Sequence, residues 1–550
     1  MVVGALALLL ILIVLPLGSL LIGSLVGDGG FTLENFARAV TSRLYYQALL
    51  NSLILGFWTG LLSVAIGVPL AWAVSRTNLP GKPFVRLTAS IAYLSPPFLI
   101  AIAYVNLFSP NAGIVNVFMR DVLHLPALTF NIFSMTGLVF VTVPHTFPFV
   151  YLLASSALQS VDASLEESAQ ILGAGRLRTA LTVTAPLVAP AILSGALIGF
   201  VNAIALFGSQ AIIGLPGRIF TLPTRIYALF DYPPQYGLAS ALSLIFIAIT
   251  VAALYGQRAY LARRSYVTMG GKGARHHAVD LGWSRWLLLA FCILVFAITI
   301  LLPYAALIAV SLSKSWGLAF WQNLTLDNYR FILVDYDVTR RAIANSLILA
   351  SLAATLAVAM GAIIGWIDLR TRISFRRIVD YVSLVPLGLP GIVMAVAILE
   401  FWLQLPIALY GTLAILLLAY WARYIPLGVR AANTALRQID PTLEESARIL
   451  GASWGQSMRD VTLPLMRPAL FAGWLLVFVP AIQELSASIL LFSSNSITLA
   501  VAVYNLYETG HLEAVAALAI VNMAIIGAAI AIARRIAGAN EAGEPAGASS

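Results

Sequence analysis

The sequence predicts an all-α membrane protein of about twelve transmembrane helices in two parallel six-helix repeats, and three observations carry that expectation. Apolar residues fill 60% of the 550 positions and charged residues only 10%, against about 45–50% and about 25% in an average soluble protein. Runs of about 20 mostly apolar residues, enough to cross the hydrocarbon layer, recur along nearly the whole chain. Matching motifs stand at corresponding places in the two halves.

Taken in order, spans are expected near residues 3–26, 48–75, 88–108, 134–157, 186–212 and 236–260, then 285–312, 343–367, 380–404, 408–432, 467–492 and 511–533. Backbone groups find no water in hydrocarbon and must bond within their own segment, so each run is read as a helix. The first run lacks a basic leader and exceeds the core of a cleavable signal peptide, so it is kept as a span.

Lys and Arg near membrane ends stay on the cytoplasmic side. Alternate loops hold Arg76, Lys82 and Arg86, then Arg176 and Arg178, then Arg258 to Arg275, and in the second half Arg370 to Arg377 and Arg430 to Arg459. That pattern places both termini in the cytoplasm and requires an even number of spans. The net charge of +9 is spread over these short clusters, with no basic domain of the kind that binds nucleic acid. Cys292 stands alone, which excludes a disulfide framework.

The repeat is explicit. Asn51-Ser52-Leu53-Ile54-Leu55 leads to Gly67, Trp72 and Arg76, and Asn345-Ser346-Leu347-Ile348-Leu349 leads to Gly361, Trp366 and Arg370 at one constant offset. The halves are read as residues 1–262 and 285–537, joined by a polar cytoplasmic linker, 263–284, that contains His276 and His277. A tail, 538–550, rich in Gly, Ala, Glu and Ser, is expected to be disordered. The paired histidines lack convergent ligands, so no metal site is read there.

The strongest repeat lies between the fourth and fifth spans of each half. Asp162-Ala-Ser-Leu-Glu-Glu-Ser-Ala-Gln-Ile-Leu-Gly173 answers Asp440-Pro-Thr-Leu-Glu-Glu-Ser-Ala-Arg-Ile-Leu-Gly451. Each copy encodes a helix of about two turns, roughly 12 Å long. Ser164 and Thr442 suit the N-cap, Glu167 and Glu445 complete a capping box, and Gly173 and Gly451 suit a left-handed stop. Leu165, Ala169 and Leu172, like Leu443, Ala447 and Leu450, give each helix one apolar face. Two such knobs suggest two sockets.

Glu167-Ser-Ala with Gly173, Val183 and Pro186, and Glu445-Ser-Ala with Gly451, Val461 and Pro464, resemble the EAA motif of ABC-importer permeases. Serine stands at 168 and 446 where that family often has alanine. The resemblance implies the type I importer-permease fold, in which Glu166, Glu167, Ala169 and Gly173, with Glu444, Glu445, Ala447 and Gly451, form coupling helices docking into two copies of an ATP-binding subunit. Charge reversal at Glu166 and Glu444 is accordingly expected to weaken that docking. ATP and Mg are implied on those partners, a solute-binding protein on the outer face, and the cell inner membrane as the location. The chain itself has no Walker-type phosphate loop and no catalytic residue is read in it.

Over nearly the whole sequence the fused double-length layout resembles the ferric-iron permease branch, with thiamine and 2-aminoethylphosphonate permeases as close relatives. Within Gln483-Glu484-Leu485-Ser486-Ala487-Ser488, Glu484, Ser486 and Ser488 are candidate contacts on the substrate path, because an intramembrane acid is a functional candidate and ferric ion favours oxygen donors. The alternative for Glu484 is a structural acid paired with a neighbouring helix; Glu400 is a weaker candidate. An ion-coupled secondary transporter also has two parallel six-helix halves, but it leaves the duplicated knobs unexplained. His124, His145 and His511 stand alone, which argues against a membrane enzyme.

Overall fold

The computed structural model of the chain describes residues 2–27, 30–263, 279–371 and 373–541. His276 and His277 of the expected linker, and the tail beyond Glu541, lie outside the described residues. The helices that matter for function are α1 (Val2–Ser24), α2 (Arg43–Arg76), α3 (Lys82–Leu94), α4 (Pro97–Phe108), α5 (Met135–Ser160), α6 (Ala163–Ile171), α7 (Ala180–Ala205) and α8 (Tyr236–Arg263). They continue with α9 (Ser284–Ser311), α10 (Asp337–Arg370), α11 (Arg376–Gly388), α12 (Gly391–Leu403), α13 (Leu413–Gln438), α14 (Pro441–Ile449), α15 (Trp454–Ile482) and α16 (Leu512–Glu541).

Among the described residues, ten helices are long and apolar enough to cross a membrane, and twelve spans result if each of two bent pairs counts as one. The expected third and ninth spans are these pairs: α3 and α4 meet at 98°, α11 and α12 at 115°. Prolines explain both corners. Ser95 and Pro96, and Leu389 and Pro390, are extended, because a residue before proline is driven out of the helical region and proline has no N–H to continue the ladder.

The expected fifth and eleventh spans ran too far. The helices stop at Ala205 and Ile482, and short helices follow at Gly208–Gly214 and Ser488–Leu491. Side chains satisfy the backbone at these breaks, as a membrane interior requires. The Gln210 amide donates to the Ala203 carbonyl at 2.8 Å, and the Glu484 carboxylate accepts from the Ala487 N–H at 3.0 Å.

The helices group into two compact units that interleave along the chain. One comprises Met1–Arg38, Leu229–Leu244 and Asp327–Ser550; the other comprises Ala39–Ala228 and Ile245–Leu326. The first helix of each half therefore belongs to the unit built mainly from the other half: α1 packs on α12, and α9 packs on α4.

Within each unit the sequence repeat does the same mechanical work twice. Asn51 donates to the Phe220 carbonyl at 2.8 Å and Ser52 accepts from the Leu222 N–H at 2.8 Å. Asn345 likewise donates to the Asn495 and Ile497 carbonyls, and Ser346 accepts from the Leu499 N–H at 2.7 Å. Further along, Gly67 admits α5 against α2, and Gly361 admits α13 against α10. A Cβ on Gly361 would lie 2.2 Å from the carbonyl carbon of Gly428. Backbone cannot retreat from such a contact, so Gly361→Ala is expected to cost about 1–3 kcal/mol or more. Thermal unfolding of the purified chain should show a lowered midpoint for Gly361→Ala and none for Gly527→Ala, where a Cβ meets nothing within 4 Å.

Candidate functional site

The two short helices α6 and α14 form as expected, with different caps. Asp162 accepts from the Ser164 N–H at 2.9 Å and Asp440 from the Thr442 N–H at 3.0 Å, so the aspartates sit where the chain turns into the helix and Ser164 and Thr442 lie inside it. These hydrogen bonds, foremost the backbone N–H in each case, and the nearby Arg76 or Arg370 hold both carboxyls below the usual carboxylate range. At the other end Gly173 has φ +87° and Gly451 φ +92°. The carbonyls of Ala169 and Ala447 then accept from the N–H groups of Ala174 and Ala452, each at 3.0 Å, closing the helix by the six-to-one bond of a Schellman stop.

Ile171 and Leu172 are 86% and 87% exposed, and Ile449 and Leu450 are 84% and 88% exposed. Leu165, Leu443, Glu167 and Glu445 are exposed as well. Glu166 and Glu444 point the other way. Glu166 lies 3.8 Å from the Arg76 guanidinium and accepts from the Thr184 hydroxyl at 2.7 Å; Glu444 lies 3.3 Å from Arg370. Each arginine is the last residue of α2 or α10, and each also donates at 2.7 Å to the carbonyl that ends the next long helix, Val161 or Ile439. A cation at a helix C-terminus meets the negative end of the dipole.

Glu484 lies in the break after α15 and is 6% exposed. Its carboxylate is fully engaged within the chain: Arg423 Nε at 3.1 Å, the Tyr424 hydroxyl at 2.8 Å and the Ala487 N–H at 3.0 Å. Ser488 exchanges a hydrogen bond with Tyr420 at 2.6 Å and donates to the Glu484 carbonyl at 2.8 Å. Ser486 is buried beside Gly391, where a Cβ would fall 2.4 Å from Arg423 Nη1 and 2.8 Å from Ser486 Cβ. Arg423 and Tyr424 were missed at the sequence level, although a lone arginine in the middle of an apolar span was the available signal. Glu400 is buried too: the Ser240 hydroxyl donates to one of its oxygens, and the carboxylate lies against Gly23 of α1. Among the described residues no three His, Cys, Asp or Glu side chains cluster to hold a metal ion.

The model of the binding-protein-dependent transport system inner membrane component family matches residues 63–266 and again 357–539. A putative ferric transport system permease protein of Haemophilus influenzae is 25% identical over 488 residues, covering 88% of this chain and 76% of that protein. A ferric transport system permease protein of Actinobacillus pleuropneumoniae is 26% identical over 542 residues, covering 96% of this chain and 77% of its own length. A molybdenum transport system permease protein of Escherichia coli is 31% identical over 212 residues, 38% of this chain and 90% of that one.

Proposed function

Because the chain belongs to the binding-protein-dependent transport system inner membrane components, with both of its halves matched, we propose that it is a fused, double-length permease of an ABC importer for ferric iron. The observation that carries the cargo is the likeness to ferric permeases over 88% and 96% of the chain. What supports the importer mechanism is the pair of capped helices α6 and α14, each ending in two exposed aliphatic side chains.

In this reading two copies of a separate ATP-binding subunit, which carry ATP, Mg and the hydrolytic chemistry, receive α6 and α14. A solute-binding protein delivers cargo on the opposite face, and the distribution of Lys and Arg puts both termini in the cytoplasm. ATP shifts the population of permease states only to the extent that it binds one arrangement of its subunits better than the other. Glu484, Ser486 and Ser488 shape the wall of the path, with Glu484 held by Arg423 and Tyr424 rather than free to coordinate.

The test is ATP-dependent uptake of radiolabelled ferric ion by cells carrying the chain with its ATP-binding subunit and binding protein. Uptake is expected to fall to background when the chain is deleted. Unchanged ferric uptake would move the cargo to another small solute, with molybdate the first to try.

A further inference from the structure

We propose that Arg76 with Glu166, and Arg370 with Glu444, are positioning joints that transmit movement of each coupling helix to the long spans of its own unit, an inference that rests on the importer reading above. The same two positions, an arginine and a glutamate, recur in both halves of the sequence, at the constant offsets of their two motifs. What the sequence alone suggested for the two glutamates was contact with a partner; the geometry turns both inward.

Packing does not hold the coupling helices. No residue of α14 is buried, and no described side chain of α6 is buried. Their apolar tips face away from the chain's own core. An arginine, by contrast, is anchored at each joint: Arg76 is only 2% exposed, and through Nη2 it holds the Val161 carbonyl. Arg370 holds the Leu436 carbonyl at 3.2 Å and the Ile439 carbonyl at 2.7 Å. Each guanidinium thus joins the end of one long helix to the end of the next, and the glutamate adds the coupling helix as a third member. A partly buried ion pair is screened less than a surface one, and a planar guanidinium can serve carbonyl and carboxylate together.

The two joints are set differently. In the first half the carboxylate is drawn toward Thr184 at the start of α7, 2.7 Å away, and stands 3.8 Å from Arg76. In the second it sits 3.3 Å from Arg370, while the corresponding Thr462 hydroxyl is buried without a hydrogen-bond partner. A cavity of about 260 Å³, lined by Trp366, Arg370, Glu444, Trp454 and Thr462, leaves room for that exchange. The carboxylate thus has two stations, the arginine that ends α2 or α10 and the threonine of α7 or α15.

The experiment uses the whole complex in membranes and reads ferric ions imported per ATP hydrolysed, together with co-purification of the ATP-binding subunit. Glu444→Gln is expected to lower the ratio at least fivefold while the ATP-binding subunit stays bound and ATP is still hydrolysed. Glu444→Asp keeps the charge but loses one methylene of reach, and should fall between parent and Glu444→Gln. Equal ratios for all three overturn the proposal. So does loss of the ATP-binding subunit from Glu444→Gln, which would make Glu444 a docking contact. If the parent complex itself imports no ferric ion, the cargo assignment fails instead, and the joint is read with whichever solute the parent carries.

Discussion

Replacing Ile449 and Leu450 together by aspartate is expected to leave the chain in the membrane and to strip it of the ATP-binding subunit proposed above. Both side chains stand at the end of α14 with more than four-fifths of their surface exposed, just before the left-handed turn at Gly451. Fully burying one such side chain is worth about 1.5–3 kcal/mol, and each 1.4 kcal/mol is about tenfold in affinity. Losing two, and bringing two unpaired carboxylates into the socket, should therefore weaken association at least about 100-fold. The helix itself survives, since neither side chain contributes to its caps or to the Glu444 joint. The measurement is retention of the ATP-binding subunit on affinity-purified permease; equal retention by parent and variant would show that docking lies elsewhere. The matching change at Ile171 and Leu172 is expected to act alike.

Glu484→Ala should be the most destabilising single change in the second half. It removes the counter-charge from Arg423, deprives the Tyr424 hydroxyl of its acceptor and leaves the Ala487 N–H bare at a helix break. Removing one partner of a buried ion pair costs about 3–5 kcal/mol, whereas replacing both by apolar residues of similar volume is often close to neutral. The double variant Arg423→Leu with Glu484→Leu should accordingly recover much of the loss. Thermal unfolding of purified protein checks both. A Glu484→Ala chain as stable as the parent but dead in ferric uptake would return Glu484 to the cargo path.

Much of this architecture was legible because it is written twice. Hydropathy located the spans, and the duplicated Asn-Ser, Gly and Arg positions marked contacts that both units do make. The two short helices α6 and α14 were readable from their own ends, above all Gly173 and Gly451, whose left-handed turns the structure bears out. Their starts were misplaced because Asp162 and Ser164, or Asp440 and Thr442, are all competent caps, and only the backbone path selects among them. The corners in the third and ninth spans were hidden because a hydropathy window reads through Pro96-Pro97 and Pro390-Gly391 without noticing the lost ladder. Arg423 was overlooked for a related reason: its partner Glu484 lies 61 residues away in sequence, and no local pattern couples them. The inward turn of Glu166 and Glu444 depends on the same kind of distant partner.

The interleaving of the units bears on how such a chain can be cut. A polypeptide beginning after the linker would carry α9 to α16 but would lack α1 and the start of α8, which complete the unit of α10 to α16. Glu400 would then lose both Gly23, against which its carboxylate rests, and Ser240, its hydroxyl donor. An acid would face lipid, at a cost that favours insertion errors or degradation over a stable half-molecule. The exchange of first helices thus makes each half the chaperone of the other. Joining them in one chain fixes their ratio at one to one, so that neither is synthesised without the helix it must borrow.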